Sequence, residues 1–393
     1  MEATLRFSFP NVSGSCRRNF IGRMSTIGGN PMDGGAKTVS LRGIRAQQSE
    51  SNDLSAMLSP KSDSAVDALK VKQLDVGSNQ DEIAASQGIR IRRRPPSSAP
   101  LHHLGPFEFR IQSEGNTPQN ILEEIIWNKD MEVSQLKERV PLLSLKKAMA
   151  NAPPVRDFVG ALKAFHLRTG LPALIAEVKK ASPSRGVLRE DFDPVQIAEA
   201  YEKGGAACLS VLTDAKYFLG SFENLEIIRN AGVKCPLLCK EFIIDAWQIY
   251  YARTKGADAV LLMAAVLPDH DIGYMTKICK ILGLAALVEV QNEREMDRVL
   301  RIEGVKLIGI NNRDLETFEV DISNTRKLLE GECGQVIQEK DMIVVAESGL
   351  FTPDDIAYVQ KTGVKAILVG ESIVKQSDPK RGIMQLFGKD ISS

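Results

Sequence analysis

From Leu171 onward the chain repeats one device eight times: a short, almost wholly apolar run, followed in most cases by a segment with helical apolar spacing. The runs are "LPALIAEVKK", "AACLSVLTD", "CPLLCKEFII", "ADAVLLMAAVL", "LAALVEVQ", "VKLIGINNRD", "MIVVAESG" and "VKAILVGES". Between them stand "PVQIAEAYEKGG", "DAWQIYYARTKG", "EREMDRVLRIEG" and "TPDDIAYVQKTG". A strand that is apolar on both faces must be covered on both, so such strands alternating with amphipathic helices predict a parallel sheet. Eight units in about 220 residues match the count and size of a (β/α)8 TIM barrel. An open doubly wound sheet usually carries a glycine fingerprint at its first βα turn, and none stands here. Gly204, Gly256, Gly304 and Gly363 close helices just before the next strand and read as left-handed C-caps. The segment "GECGQVIQEKD" reads as a long loop leading into the seventh strand, on the bottom face.

Ahead of the barrel, Ile121, Ile125, Leu136 and Val140 lie at near-helical spacing among Glu and Lys, which predicts one or two amphipathic helices starting near Thr117. Residues 1–49 are different. Arg6, Arg17, Arg18, Arg23, Lys37, Arg42 and Arg45 face only Glu2 and Asp33, and an Arg-rich, Ser-rich, acid-poor leader reads as an organelle transit peptide. Residues 50–116 read as a disordered polar linker, with "IRIRRRPPSSAP" exposed and Pro95-Pro96 opposing a helix. The expected division is therefore leader 1–49, linker 50–116, and barrel with N-terminal helical extension 117–393.

With 50 basic residues against 50 acidic ones, no global charge steers the chain to nucleic acid or a membrane surface. No apolar run approaches the roughly 18 residues of a membrane span. The six cysteines form no CxxC pair, and Cys208 and Cys239 sit in apolar runs, which suits reduced buried thiols. Neither a metal-ligand cluster nor a nucleotide fingerprint is present, so no cofactor and no metal are expected. His102 and His103 fall in the linker and His166 and His270 at helix or loop positions, so no histidine is expected to be catalytic.

In a TIM barrel the C-terminal strand ends and the loops after them build the active site. Read in order, those ends carry Glu177, Lys179 and Ser182; Lys240; Glu289; Asn311 and Arg313; Glu347, Ser348 and Gly349; then Gly370 and Glu371. One charge at a strand end is ordinarily a solvated terminus or an ion pair. Several at one end of one barrel point to a site. The turns "ESGL" and "VGES" follow the seventh and eighth strands, where barrels commonly hold phosphate on backbone N–H groups. Lys179, Lys240 and Arg313 exceed what one phosphate needs, and a second anionic group such as a carboxylate would account for the excess.

These stretches resemble indole-3-glycerol-phosphate synthase at every barrel strand: "AEVKKASPSRG", "LTDAKYFLGS", "LCKEFIID", "ADAVLL", "LVEVQNERE", "IGINNRDLETFEVD", "VAESGL" and "ILVGESIV". "ILEEIIWNKDMEVSQLKERVPL" and "PPVRDF" resemble that family's N-terminal region, so the resemblance runs from about Thr117 to the C-terminus. With the basic leader it implies a plant plastid form, in the stroma. It implies tryptophan biosynthesis: ring closure of 1-(2-carboxyphenylamino)-1-deoxyribulose 5-phosphate to indole-3-glycerol phosphate, with loss of carbon dioxide and water. By the same resemblance Lys240 is the general acid, and Glu289 and Glu177 are its acid/base partners. Lys179 binds phosphate and serves as an acid in the dehydration, while Asn311 bonds the sugar portion or the catalytic water. Ser182 and Arg313 meet the carboxylate; Phe242 and Leu261 wall the aromatic ring; Ser348, Gly349, Gly370 and the backbone at Glu371 hold phosphate with Lys179. Glu371 departs from family members with Ser there, which leaves a backbone contact only. Glu347 is read as a structural ion-pair partner in preference to catalytic support. The implied partners are the small phosphorylated substrate and, transiently, the tryptophan synthase alpha subunit.

Two alternative readings fit the strand ends less well. Phosphoribosylanthranilate isomerase, another phosphosugar barrel, would use a Cys/Asp pair where this chain has Glu177 and Asn311. A non-catalytic barrel that binds a phosphorylated metabolite has no reason to keep Lys240 with two glutamates. After "VGESIVKQSDPKRGIMQLFG" no room is expected for a second barrel.

Overall fold

The computed structural model describes residues 79–94, two short strands at His102–Leu104 and Phe107–Phe109, and residues 117–392. The expected leader, 1–49, lies outside the described residues. Eight parallel strands close into a barrel: β1 (Ala173–Val178), β2 (Cys208–Leu212), β3 (Leu237–Lys240), β4 (Ala259–Met263), β5 (Ala285–Val290), β6 (Leu307–Asn311), β7 (Ile343–Glu347) and β8 (Ala366–Val369). Sequence neighbours are barrel neighbours, and closure comes from β8 against β1, where Ile367 pairs with Leu174 and Val369 with Ala176. β1, β2, β4, β6, β7 and β8 are buried along their whole length. Their lack of alternation follows from having a packed interior on one side and helices on the other.

Helix α1 (Asn79–Ser86) comes first, and α2 (Ile121–Arg139), α3 (Leu142–Ala148) and α4 (Phe158–Thr169) precede β1. Around the barrel follow α5 (Pro194–Lys203), α6 (Phe222–Asn230), α7 (Ala246–Thr254), α8 (Asp269–Ile281), α9 (Glu293–Leu300), α10 (Ser323–Leu329), α11 (Glu332–Glu339), α12 (Pro353–Lys361), α13 (Glu371–Val374) and α14 (Pro379–Phe387). Local chemistry sets where they begin. Asp193 accepts from the Val195 and Gln196 N–H groups ahead of Pro194, and reciprocal capping boxes start α7 (Asp245, Gln248) and α12 (Thr352, Asp355).

Three expectations change. The left-handed residue after α5 is Gly205 (φ 90°), not Gly204 (φ −82°), and a Cβ at 205 would also run into the backbone at Ile391; Gly256, Gly304 and Gly363 are left-handed as expected. The supposed loop before β7 contains α11, which turns in at Gly331 and buries Ile337.

Part of the polar linker is also folded. Beyond α1, residues 87–94 lie against the barrel with Ile89 and Ile91 buried while the arginines between and after them reach outward to acids. Arg90 pairs with Glu316 (3.0 Å), Arg93 with Asp271 (3.4 Å) and Arg94 with Asp130 (2.8 Å). Arg92 donates to Glu123 from its backbone N (2.8 Å), Nε (2.9 Å) and Nη2 (2.6 Å), and its carbonyl accepts from Trp127 Nε1 (2.9 Å). Order therefore begins well ahead of Thr117. Alternate Ile residues found a surface to bury against, and counting arginines did not reveal it.

Candidate active site

Each strand delivers its last residues to one mouth, and the cavity there is lined by every residue expected from the sequence: Glu177, Lys179, Ser182, Lys240, Phe242, Leu261, Glu289, Asn311, Arg313, Ser348, Gly349, Gly370 and Glu371. Lys240, the last residue of β3, is the centre. Its Nζ lies 3.1 Å from Glu347 Oε2 and 3.5 Å from Glu177 Oε2. Glu177 also pairs with Lys179 through its other oxygen. Asn311 Nδ2 donates to Glu289 Oε1 (3.2 Å), and Asn311 Oδ1 accepts from the Arg313 backbone N–H (3.0 Å).

Two glycines make this crowding feasible. A Cβ at Gly309 in β6 would overlap Glu347 Oε1, and one at Gly370 would come within 2.5 Å of Glu177 Oε1. The carboxylates occupy the space that side chains would otherwise fill.

Burial and neighbours push these groups apart. Burial opposes the charge on Lys240, but Glu347, Glu177 and Glu289 outweigh it and hold the ammonium firmly protonated. Burial also works against the Glu177 carboxylate, yet Lys179 and Lys240 keep it below the ordinary range. For Glu347, burial is only partly offset by Lys240 and is reinforced by Glu289, so its carboxyl is pushed up to about 8. Burial raises Glu289 as well. Glu347 Oε1 is buried and makes no hydrogen bond. Glu289 and Glu347 are close enough for the charge state of each to bear on the other.

The mouth has two ends of opposite character. At one, Ser348 (φ 67°) and Gly349 (φ 81°) take consecutive left-handed conformations after β7, and Asn312 Nδ2 donates to the Ser348 carbonyl (3.2 Å). Successive turned N–H groups of this kind make an anion-binding concavity, beside Gly370 and the start of α13. The Glu371 side chain is already engaged with Lys375 (2.7 Å), Arg185 (3.5 Å) and Arg313 (3.9 Å), which leaves its backbone for a ligand. At the other end Phe242 lies 5.9 Å from Phe218, centroid to centroid, and Leu261, Met263, Ile121, Leu122 and Ile125 complete an apolar wall.

Ile121, Leu122 and Ile125 come from α2, which reaches over the mouth; the sequence marks Ile121 and Ile125 only as a helix face, and gives no sign of Leu122 or Phe218 as site residues. Glu347 was singled out, as a structural ion-pair partner; its partner proves to be Lys240. A further cluster, Lys129 with Asp214 and Glu241, was also missed. Its signal was legible: Lys129 continues the Ile121, Ile125 stripe at the same helical spacing, a charge on an apolar face. No cluster of three metal-ligating side chains occurs among the described residues.

A cation held between acids, an anion-binding turn and an apolar wall suit acid–base chemistry on a phosphorylated molecule with an aromatic part. Comparison with known proteins agrees. The family model for indole-3-glycerol phosphate synthase matches residues 122–386. The chain is 69% identical over 350 residues to the chloroplastic indole-3-glycerol phosphate synthase of Arabidopsis thaliana, covering 89% of this chain and 87% of that one. It is 56% identical over 299 residues to the synthase of Microcystis aeruginosa (76% of this chain, 99% of that one) and 55% over 300 residues to that of Rippkaea orientalis (76% and 100%).

Proposed function

The chain belongs to the indole-3-glycerol phosphate synthase family of carboxy-lyases, and on that premise we propose that Lys240 is the general acid of the ring closure. Neither the isomerase nor the non-catalytic barrel is favoured. The substrate, 1-(2-carboxyphenylamino)-1-deoxyribulose 5-phosphate, has a phosphate, a carboxylate and an aromatic ring, one group for each part of the mouth. Phosphate is held by the N–H groups at Ser348, Gly349, Gly370 and Glu371 together with Lys179. The ring lies against Phe242 and Leu261, and its carboxylate faces Arg313 and Ser182.

In the condensation, the ring carbon bearing the carboxylate attacks the ketose carbonyl carbon, and the proton on Lys240 Nζ passes to the carbonyl oxygen. The carboxylate then leaves as carbon dioxide, its bonding electrons restoring the aromatic ring. In the dehydration the new hydroxyl takes a proton and departs as water, while a carboxylate of Glu289 or Glu177 removes a proton from the ring system. Lys179, paired with Glu177, is the acid at this step, and Asn311 orients Glu289 and the water. A Lys held between two glutamates stays charged at neutral pH and yields its proton only when negative charge develops on the carbonyl oxygen.

The observation that carries this reading is Lys240 Nζ set between Glu177 and Glu347 at the centre of the mouth. The test follows indole fluorescence with purified protein and substrate. Lys240→Met is expected to lower kcat about 1000-fold or more while substrate still binds. Turnover within tenfold of wild type would reject Lys240 as the acid.

The same reading gives the protein a plastid location, in the stroma, with residues 1–49 as the transit peptide. Its support is the leader's composition and the chloroplastic name of the Arabidopsis relative. A transient contact with the tryptophan synthase alpha subunit would hand over the product; it is rejected if product appears in bulk solution at the same rate with and without that subunit.

A further inference from the structure

We propose that Lys129 is a positioning residue for this reaction, an ionic pin that ties the α2 side of the mouth to the strand ends carrying Lys240 and the Phe218/Phe242 wall. The inference rests on Lys240 and that wall acting as proposed above. Lys129 is a fully buried cation on a helix that begins at the mouth with Ile121, Leu122 and Ile125. Its Nζ meets Asp214 Oδ2 at 2.8 Å, Glu241 Oε1 at 3.0 Å and Glu132 Oε2 at 2.8 Å.

The two distant partners hold the active-site side in shape. Asp214 follows β2, and its Oδ1 accepts from the backbone N–H groups of Tyr217 (2.7 Å) and Phe218 (3.2 Å). Glu241 directly follows Lys240. Strand alternation turns the Lys240 side chain into the barrel and the Glu241 side chain toward α2. Glu241 Oε1 accepts from the Phe242 N–H (2.8 Å) and Oε2 from Thr213 Oγ1 (2.8 Å). Asp214 and Glu241 thus fix the backbone from which both rings project, and each is fully buried with Lys129 as its counter-charge. Tyr217 Oη to Glu124 (3.0 Å) and Lys216 Nζ to Asn128 (3.0 Å) bind the same loop to the outer face of α2, where water weakens them.

Without Lys129, two buried carboxylates lose their cation, and the loops they hold must move toward water. Lys240 keeps Glu177 and Glu347, so the ring-binding wall suffers more than the acid. Lys129→Met is therefore expected to raise KM about tenfold while kcat falls less than about threefold. Lys129→Arg, which keeps the charge, should recover most of the KM. A folded Lys129→Met with wild-type KM overturns the pin, and so does Lys129→Arg with a KM no better than Lys129→Met, since the effect would then be packing. If Lys129→Met does not fold, Glu241→Gln removes one of the paired charges in nearly the same shape; a raised KM supports the pin and an unchanged KM overturns it. Lys240→Met is assayed alongside. Its continued turnover would refute the general acid without touching the KM result.

Discussion

At Lys240 the surroundings decide which of several titrating groups limits the reaction. Three glutamates hold Lys240 protonated, so we do not expect loss of its proton to set the alkaline limit of activity. Glu347, at about 8, ionises first, and a second full charge against Lys240 makes the ammonium a weaker acid. We expect kcat to fall with an apparent pKa near 8 that belongs to the Glu289/Glu347 pair, and Glu347→Gln to remove that limb; a pH profile unchanged in the variant would refute it. The same group acts on stability with a definite sign. From the ordinary carboxylate range up to about 8 the folded protein keeps a proton that the unfolded chain has released, so this site's contribution declines as pH rises through that window. Much of the mouth was legible in the sequence because strand ends in this fold are functional by position, and Glu177, Lys240, Glu289 and Asn311 all stand there. Which oxygen faces which nitrogen was not. Glu347 looked like an ordinary ion pair, since its proximity to Lys240 depends on the bare Gly309 in the neighbouring strand.

Among the elements, the barrel strands were readable because their burial leaves an unbroken apolar run, whereas residues 87–94 were not. There Ile89 and Ile91 alternate with Arg90 and Arg92, a period-two pattern too short to stand out against three successive arginines and Pro95-Pro96. What orders the segment is tertiary: the carboxylate of Glu123, fully buried in the first turn of α2, with the Arg92 guanidinium and backbone N–H upon it. Arg92→Ala should destabilise the protein by about 2 kcal/mol, chiefly because a buried carboxylate is left with fewer partners. The sign with pH follows from Glu123. Burial works against its charge, but Arg92 and the Gln119 N–H prevail and hold it below the ordinary range. Its contribution is present in full above that range and lost as pH falls through the folded pKa, so the deficit of Arg92→Ala should be largest near neutrality and shrink in acid. Denaturant melts at neutral and acidic pH measure this, and a deficit that does not vary with pH would count against it.

For the molecule as a whole, the question is where the working enzyme begins. Every described residue that lines the mouth lies between Ile121 and Ser372, which by itself would allow a start near Thr117. The segment at 87–94 argues otherwise, since it grips α2 through Glu123 and Asp130 and reaches the loop after β6 through Glu316, the loop that carries Arg313, Leu315 and Phe318 to the mouth. Exposed pairs such as Arg90 with Glu316 are each worth little, so the grip depends on Arg92 and on buried Ile89 and Ile91. Two truncations separate the possibilities. A protein of residues 79–393 should keep the kcat, KM and melting temperature of the full chain. One of residues 117–393 should melt several degrees lower, as loss of about 2 kcal/mol implies for a domain of this size, and should show a raised KM because α2 is less firmly held over the mouth. Equal KM and equal melting for both would mean that the segment only coats the barrel. Residues 1–78, dispensable for chemistry on this account, should be required for plastid import, so the 79–393 protein should complement a tryptophan-requiring bacterium yet remain outside isolated chloroplasts that take up the full chain.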